Sequence, residues 1–117
     1  MNFPICYFCP TVGLTFKEPE YGQDYYITYK CNRCETEFFY DPKHPNVLAS
    51  WSFNVVYRKQ RFWIDWYSHT NCIEIAFSRI ESEGQASGIK PLIKLPEQTS
   101  ITPFNILQKL PTILTFL

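Results

Sequence analysis

Apolar and polar residues alternate in three successive runs between residues 50 and 80. Phe53, Val55 and Tyr57 share one face at a period of two, as do Phe62, Ile64 and Trp66, and then Ile73, Ile75 and Phe77. Polar stretches at 58–61 and 68–71 separate the runs. A period of two marks a strand, and short polar breaks mark hairpin turns. The pattern predicts three antiparallel strands with one buried face. Residues 90–95 predict a fourth strand, placed at an edge because Pro91 cannot donate to a ladder.

Upstream, residues 12–17, 24–30 and 35–40 read as three shorter strands. Glu18-Pro19-Glu20-Tyr21-Gly22 carries turn chemistry between the first two. Residues 41–46 include Pro42 and Pro45 and predict a stiff connector. Residues 81–88 read as a polar loop. Thr102-Pro103 is a helix start, a capping hydroxyl followed by proline at the first helical position. Phe104, Leu107 and Leu110 then share a face, and Pro111 is expected to end or kink the helix. The apolar residues 112–117 are expected to pack on the sheet. The reading is a mainly β, small α+β chain. Residues 1–41 form one module, and residues 42–117 form a meander with a C-terminal helix, the two packed as one unit.

Composition supports this. The chain has 117 residues, 45% hydrophobic and 18% aromatic, enough for a modest core and rich in side chains that suit pleated surfaces. Net charge is zero, so the global basic excess of a nucleic-acid binder is missing. The charge is uneven: residues 1–50 hold four Lys/Arg against six Asp/Glu, and residues 51–80 hold four against two. A polyanion would therefore meet the middle of the chain. No stretch approaches the roughly 18 apolar residues of a membrane span, and the N-terminus lacks a basic n-region and apolar h-region. An intracellular protein with no membrane contact is expected.

Five cysteines, an odd number, point to metal rather than to a disulfide framework. Cys6-x-x-Cys9 and Cys31-x-x-Cys34 are separated by 21 residues, room for two strands and a turn. Each pair can fold into a knuckle aiming two sulfurs at one centre, and two knuckles supply the tetrahedral thiolate set that zinc accepts. Two cysteine pairs flanking a hairpin resemble the zinc-ribbon class over about a third of the chain. The resemblance implies a structural metal and a contact module for nucleic acid or protein. Ribbon knuckles often carry Gly after the second Cys, where this chain has Pro10 and Glu35. Pro10 has no N–H to give a sulfur, while Arg33 is expected to offset some thiolate charge. Iron is the alternative metal for the same four ligands. A closed site leaves no open position for catalysis.

Cys72 lies three residues from His69, the only pairing that suggests a Cys72-dependent enzyme; a half-buried inert thiol is the plainer reading. His44 reads as a solvated loop residue. Asp65 and Glu74 fall opposite the apolar face and read as solvated strand charges, with no sign of a pocket around them. Trp63 and Tyr67 share that second face. Arg58 also faces that way, and Lys59 and Arg61 are placed in the adjoining turn. These five residues form a partner-binding candidate, because aromatics beside cations stack bases or anchor protein partners. The plainer reading is that the ribbon or helix covers Trp63 and Tyr67. The chain therefore reads as a non-enzymatic, zinc-stabilised binding protein. It would be a protein-interaction module, an accessory subunit or a stoichiometric inhibitor of a larger enzyme. Nucleic-acid binding through 58–67 is the alternative. No small-molecule substrate is evident.

Overall fold

The computed structural model describes residues 4–17, 27–79 and 90–115. The expected turn at 18–22, the start of the second strand at 24–26, the loop at 81–88 and the last two apolar residues lie outside the described residues. Among the described residues, seven strands form one sheet: β1 (Thr15–Lys17), β2 (Ile27–Lys30), β3 (Glu37–Asp41), β4 (His44–Tyr57), β5 (Gln60–Tyr67), β6 (Cys72–Arg79) and β7 (Lys90–Pro96). Each strand pairs antiparallel with the next in sequence. One helix, α1 (Ile106–Leu114), follows.

The three predicted runs stand in register in β4, β5 and β6. Phe53, Ile64 and Ile75 form one cross-strand row, and Val55, Phe62 and Phe77 form the next. Trp51, Trp66 and Ile73 form a third, which Phe38 of β3 and Leu95 of β7 extend to either side. Phe62 and Ile64 are fully buried. Neighbours in such rows lie about 5 Å apart and shield each other from water.

Two expected breaks differ from the structure. The turn after β4 is not four residues long: Tyr57 pairs with Gln60, leaving only Arg58 and Lys59 as the turn. Both have positive φ, 51° and 61°, the type I′ geometry that matches strand twist. Cross-strand pairing has overridden the steric cost of two non-glycine residues there. The Arg58 guanidinium lies 5.0 Å from the Tyr57 ring centroid. Nor is 41–46 a connector. Asp41 already pairs with His44, and the Lys43 N–H donates to Asp41 Oδ1 at 2.9 Å, closing the turn. Register then shifts, with Tyr40 opposite Leu48 and Phe39 opposite Ser50. Pro45 falls in this irregular stretch, where no ladder N–H is needed. The bulge at Ala49 turns Leu48 to the same side as Trp51. β3 and β4 therefore pair directly across the turn at residues 42 and 43, and the cysteine segment shares one sheet with the meander.

The C-terminal segment also starts differently in detail. Thr102 Oγ1 accepts from the N–H groups of Phe104 and Asn105, each at 3.2 Å, and Asn105 Oδ1 accepts from the Thr102 N–H at 2.8 Å. This reciprocal cap closes a turn over 103–105, and the regular helix begins only at Ile106. Its buried face is Ile106, Leu110 and Ile113, spaced i, i+4, i+7 as an amphipathic helix requires. Phe104 and Leu107, expected on that face with Leu110, point outward, Phe104 at 57% exposure and Leu107 at 50%. Pro111 removes one hydrogen bond, yet the helix continues to Leu114, because the buried face holds both sides of the proline. Leu110→Ala should cost about 2–5 kcal/mol, whereas Leu107→Ala should change stability by about 0.5 kcal/mol or less. Urea unfolding of the two variants checks this. Among the described residues, no helix is long and apolar enough to cross a membrane.

Candidate metal centre

The four cysteines Cys6, Cys9, Cys31 and Cys34 converge. Their sulfurs all lie within 4.8 Å of one another. Cys6 Sγ and Cys34 Sγ stand 3.6 Å apart, and none of the four is in a disulfide. A tetrahedral ion with Zn–S bonds of about 2.3 Å needs sulfurs about 3.8 Å apart, so the cluster has the size and donor chemistry of a four-thiolate metal site. Cys6, Cys9 and Cys31 are buried.

Local backbone chemistry builds both knuckles. In the first, the Cys6 N–H donates to the Val12 carbonyl at 3.0 Å and the Val12 N–H to the Cys9 carbonyl at 2.9 Å. A single bridge between Ile5 and Gly13 closes the loop. In the second, the Cys31 N–H donates to the Thr36 carbonyl and the Glu35 N–H to the Cys31 carbonyl. The N–H groups of Arg33 and Cys34 point at Cys31 Sγ, at 3.4 and 3.5 Å. Arg33 thus serves the site through its backbone, and its side chain is exposed. Cys34 Sγ lies 3.2 Å from Thr36 Oγ1; once Cys34 is a metal-bound thiolate, that hydroxyl becomes the donor. Thr36 is fully buried. No spacing rule singles it out in the sequence, because a threonine before a strand has many ordinary uses.

The thiols differ in acidity before a metal binds. Burial pushes Cys6 and Cys9 up. Burial acts the same way on Cys31, but the Cys34 and Arg33 N–H groups and the neighbouring thiols outweigh it, and Cys31 is lowered to about 7. The site is therefore primed at the sulfur that receives two backbone donors.

Glu35 occupies the position where ribbon knuckles carry Gly, and it has φ 63°. It has adopted the left-handed conformation at the cost of a Cβ clash. Glu35→Gly should stabilise the protein by about 1 kcal/mol, read as a higher unfolding midpoint with metal content unchanged.

The cluster is bolted to the sheet by Phe8. Its ring lies 5.1 Å from Trp51 and 6.0 Å from Phe53, both edge-on, and 6.2 Å from Phe38. The first knuckle and α1 thus join one core with the apolar face of the sheet. The sequence reading passed over Phe8. Its signal was an apolar residue beside a ligand cysteine in a segment too short for a core of its own.

The partner-binding candidates are only partly gathered. Arg61, Trp63 and Tyr67 share the second face of β5, half-buried, while Arg58 and Lys59 are exposed at the turn. Arg61 belongs to the strand rather than the turn. Asp65 lies between Trp63 and Tyr67 and pairs with Glu74, so the face is not simply basic. Burial and the Glu74 charge raise the Asp65 pKa above the ordinary carboxylate value, partly countered by the hydrogen bond from Ser52. A cavity of about 380 Å³ is lined by Asp65, Tyr67 and His69, where none was expected from the sequence. The Cys72 thiol donates to Thr70 Oγ1 at 3.3 Å, and the His69 ring packs on Tyr67 at 5.7 Å.

Fold and site together define the class: a mainly β protein carrying a four-cysteine, metal-type cluster at one end of a single antiparallel sheet. Comparison with protein-family models, curated proteins and solved structures finds no match for this chain.

Proposed function

We propose that this chain is a non-enzymatic, zinc-stabilised binding protein whose partner is another protein. The observation that carries this reading is Tyr7. It sits between two buried cluster cysteines, yet is 70% exposed. A metal-clamped loop would hold this aromatic outward at little entropic cost, as interface anchors are held. Phe104 and Leu107 add further exposed apolar surface. Zinc is favoured over iron because a closed, structural role is all the surroundings support. Reduced thiols fit an intracellular setting. A role as accessory subunit or as stoichiometric inhibitor of a larger enzyme is one form of this reading, the inhibitor form resting on small size and on the lack of a catalytic set in the sequence.

The test is capture from native lysate. A partner should be retained by the metal-loaded protein and lost with Tyr7→Ala, whose circular dichroism should match the parent. Capture that survives both Tyr7→Ala and chelation sinks the reading. Nucleic-acid binding keeps one supporting observation, the shared face of Arg61, Trp63 and Tyr67, interrupted by Asp65. It predicts salt-dependent binding weakened by Arg58→Ala and Arg61→Ala.

A further inference from the structure

A cavity of about 450 Å³ opens on the apolar side of the sheet, between the first knuckle and the segment from Glu97 to Thr102. Four aromatic rings line it: Tyr7, Phe8, Trp51 and Trp66. Trp51 and Trp66 lie nearly parallel, 17° between planes and 6.4 Å between centroids, and make a floor. Phe8 stands on that floor at 81° to Trp51, and Tyr7 stands at 88° to Phe8. The opposite wall is formed by Glu97, Thr99, Ser100, Ile101 and Thr102, which place one carboxylate-bearing residue and three hydroxyl-bearing residues beside the rings. No lysine, arginine or histidine lines the space among the described residues. Lys109 donates to the Ser100 carbonyl, which Asn105 Nδ2 also meets at 3.0 Å.

Aromatic faces are electron-rich, and a carboxylate beside them adds a full negative charge. A strongly hydrated cation would lose too much hydration here. A methylated ammonium is weakly hydrated, covers its charge with methyl groups, and fits between rings set at right angles. We propose that this cavity binds a trimethylammonium group, with Trp51 and Trp66 beneath it, Tyr7 and Phe8 at its side and Glu97 as counter-charge. The proposal deepens the protein-partner reading, because a trimethylated lysine on a partner would present this group. A free choline-like molecule carries the same chemistry. Two of the four rings belong to the knuckle between Cys6 and Cys9, so the site depends on the cluster.

The experiment is a titration of metal-loaded protein, followed by tryptophan fluorescence and by NMR. Its arms are choline, its neutral isostere 3,3-dimethylbutan-1-ol, and a short peptide with trimethyllysine or plain lysine. Choline and the trimethyllysine peptide should bind, and the isostere and plain peptide should bind at least tenfold more weakly. Glu97→Gln, at an exposed position, should weaken cation binding by about 2- to 5-fold while the isostere is unaffected, and Tyr7→Ala should weaken the cation by about 2- to 5-fold, more than it weakens the isostere. Equal binding of isostere and choline, or no binding of either cation by folded, metal-loaded protein, overturns the cage. If choline binds and the peptide does not, the cage stands and its use on a protein partner falls. If neither binds yet capture from lysate still depends on Tyr7, the cage falls and the partner reading stands.

Discussion

Stripping the metal should unfold the front of this protein. Structural zinc sites of this kind contribute roughly 10–16 kcal/mol of binding free energy, against a total stability of about 5–15 kcal/mol for a domain. The sulfurs of Cys6, Cys9, Cys31 and Cys34, all within 4.8 Å, have little else to bring them together. The first knuckle is held otherwise by one bridge, a few backbone bonds and the packing of the single Phe8 ring, and β1 has only three residues. Chelation, or Cys31→Ser, should therefore abolish amide protection at Cys6, Val12 and Cys31 and loosen Phe8 from Trp51. The meander should persist, weakened. Hydrogen exchange with and without chelator reads this, and unchanged protection would count against a structural metal.

Acid should act in the same direction. Metal-bound thiolates carry no protons, whereas thiols in the unfolded chain keep theirs up to about pH 8.5. The loaded, folded state therefore holds fewer protons, and its stability is present at higher pH and lost as pH falls. Burial also keeps protons on Cys6 and Cys9 in the metal-free cluster, so metal binding at neutral pH should release protons, measurable in weak buffer.

The second large effect belongs to the sheet. Phe62→Ala should cost about 3–5 kcal/mol, because Phe62 is fully buried between Val55 and Phe77 and packs 5.7 Å from the Phe77 ring. Trp63→Ala, one residue on, should cost about 1 kcal/mol, although the side chain is larger. Trp63 is half-buried on the opposite face, across from Asn54 and Ala76. Urea unfolding of the pair tests the register directly, since a slip of one residue would exchange the two outcomes.

The alternation from Phe53 to Phe77 was legible because a strand has only two faces and a single buried side must show as a period of two. The cysteine pairs were legible because a metal site needs fixed ligand types at short spacing. The helix face differs at Phe104, which lies in the Thr102–Asn105 cap before the regular helix, and at Leu107, because the buried stripe runs through Ile106, Leu110 and Ile113. The 58–61 turn was read too long because two positive-φ residues without glycine carry no sequence signal.

From its order of residues alone, this chain determined a β-rich fold, the buried rows of its meander and the four cysteines that cluster. Local chemistry suffices for each of these. Only the tertiary structure decided that the cysteine segment joins the same sheet through β3 and β4, that Phe8 fastens the knuckle to Trp51, and that four aromatics and Glu97 enclose one cavity. Those facts depend on contacts between residues distant in sequence, and such contacts leave no periodic trace along the chain.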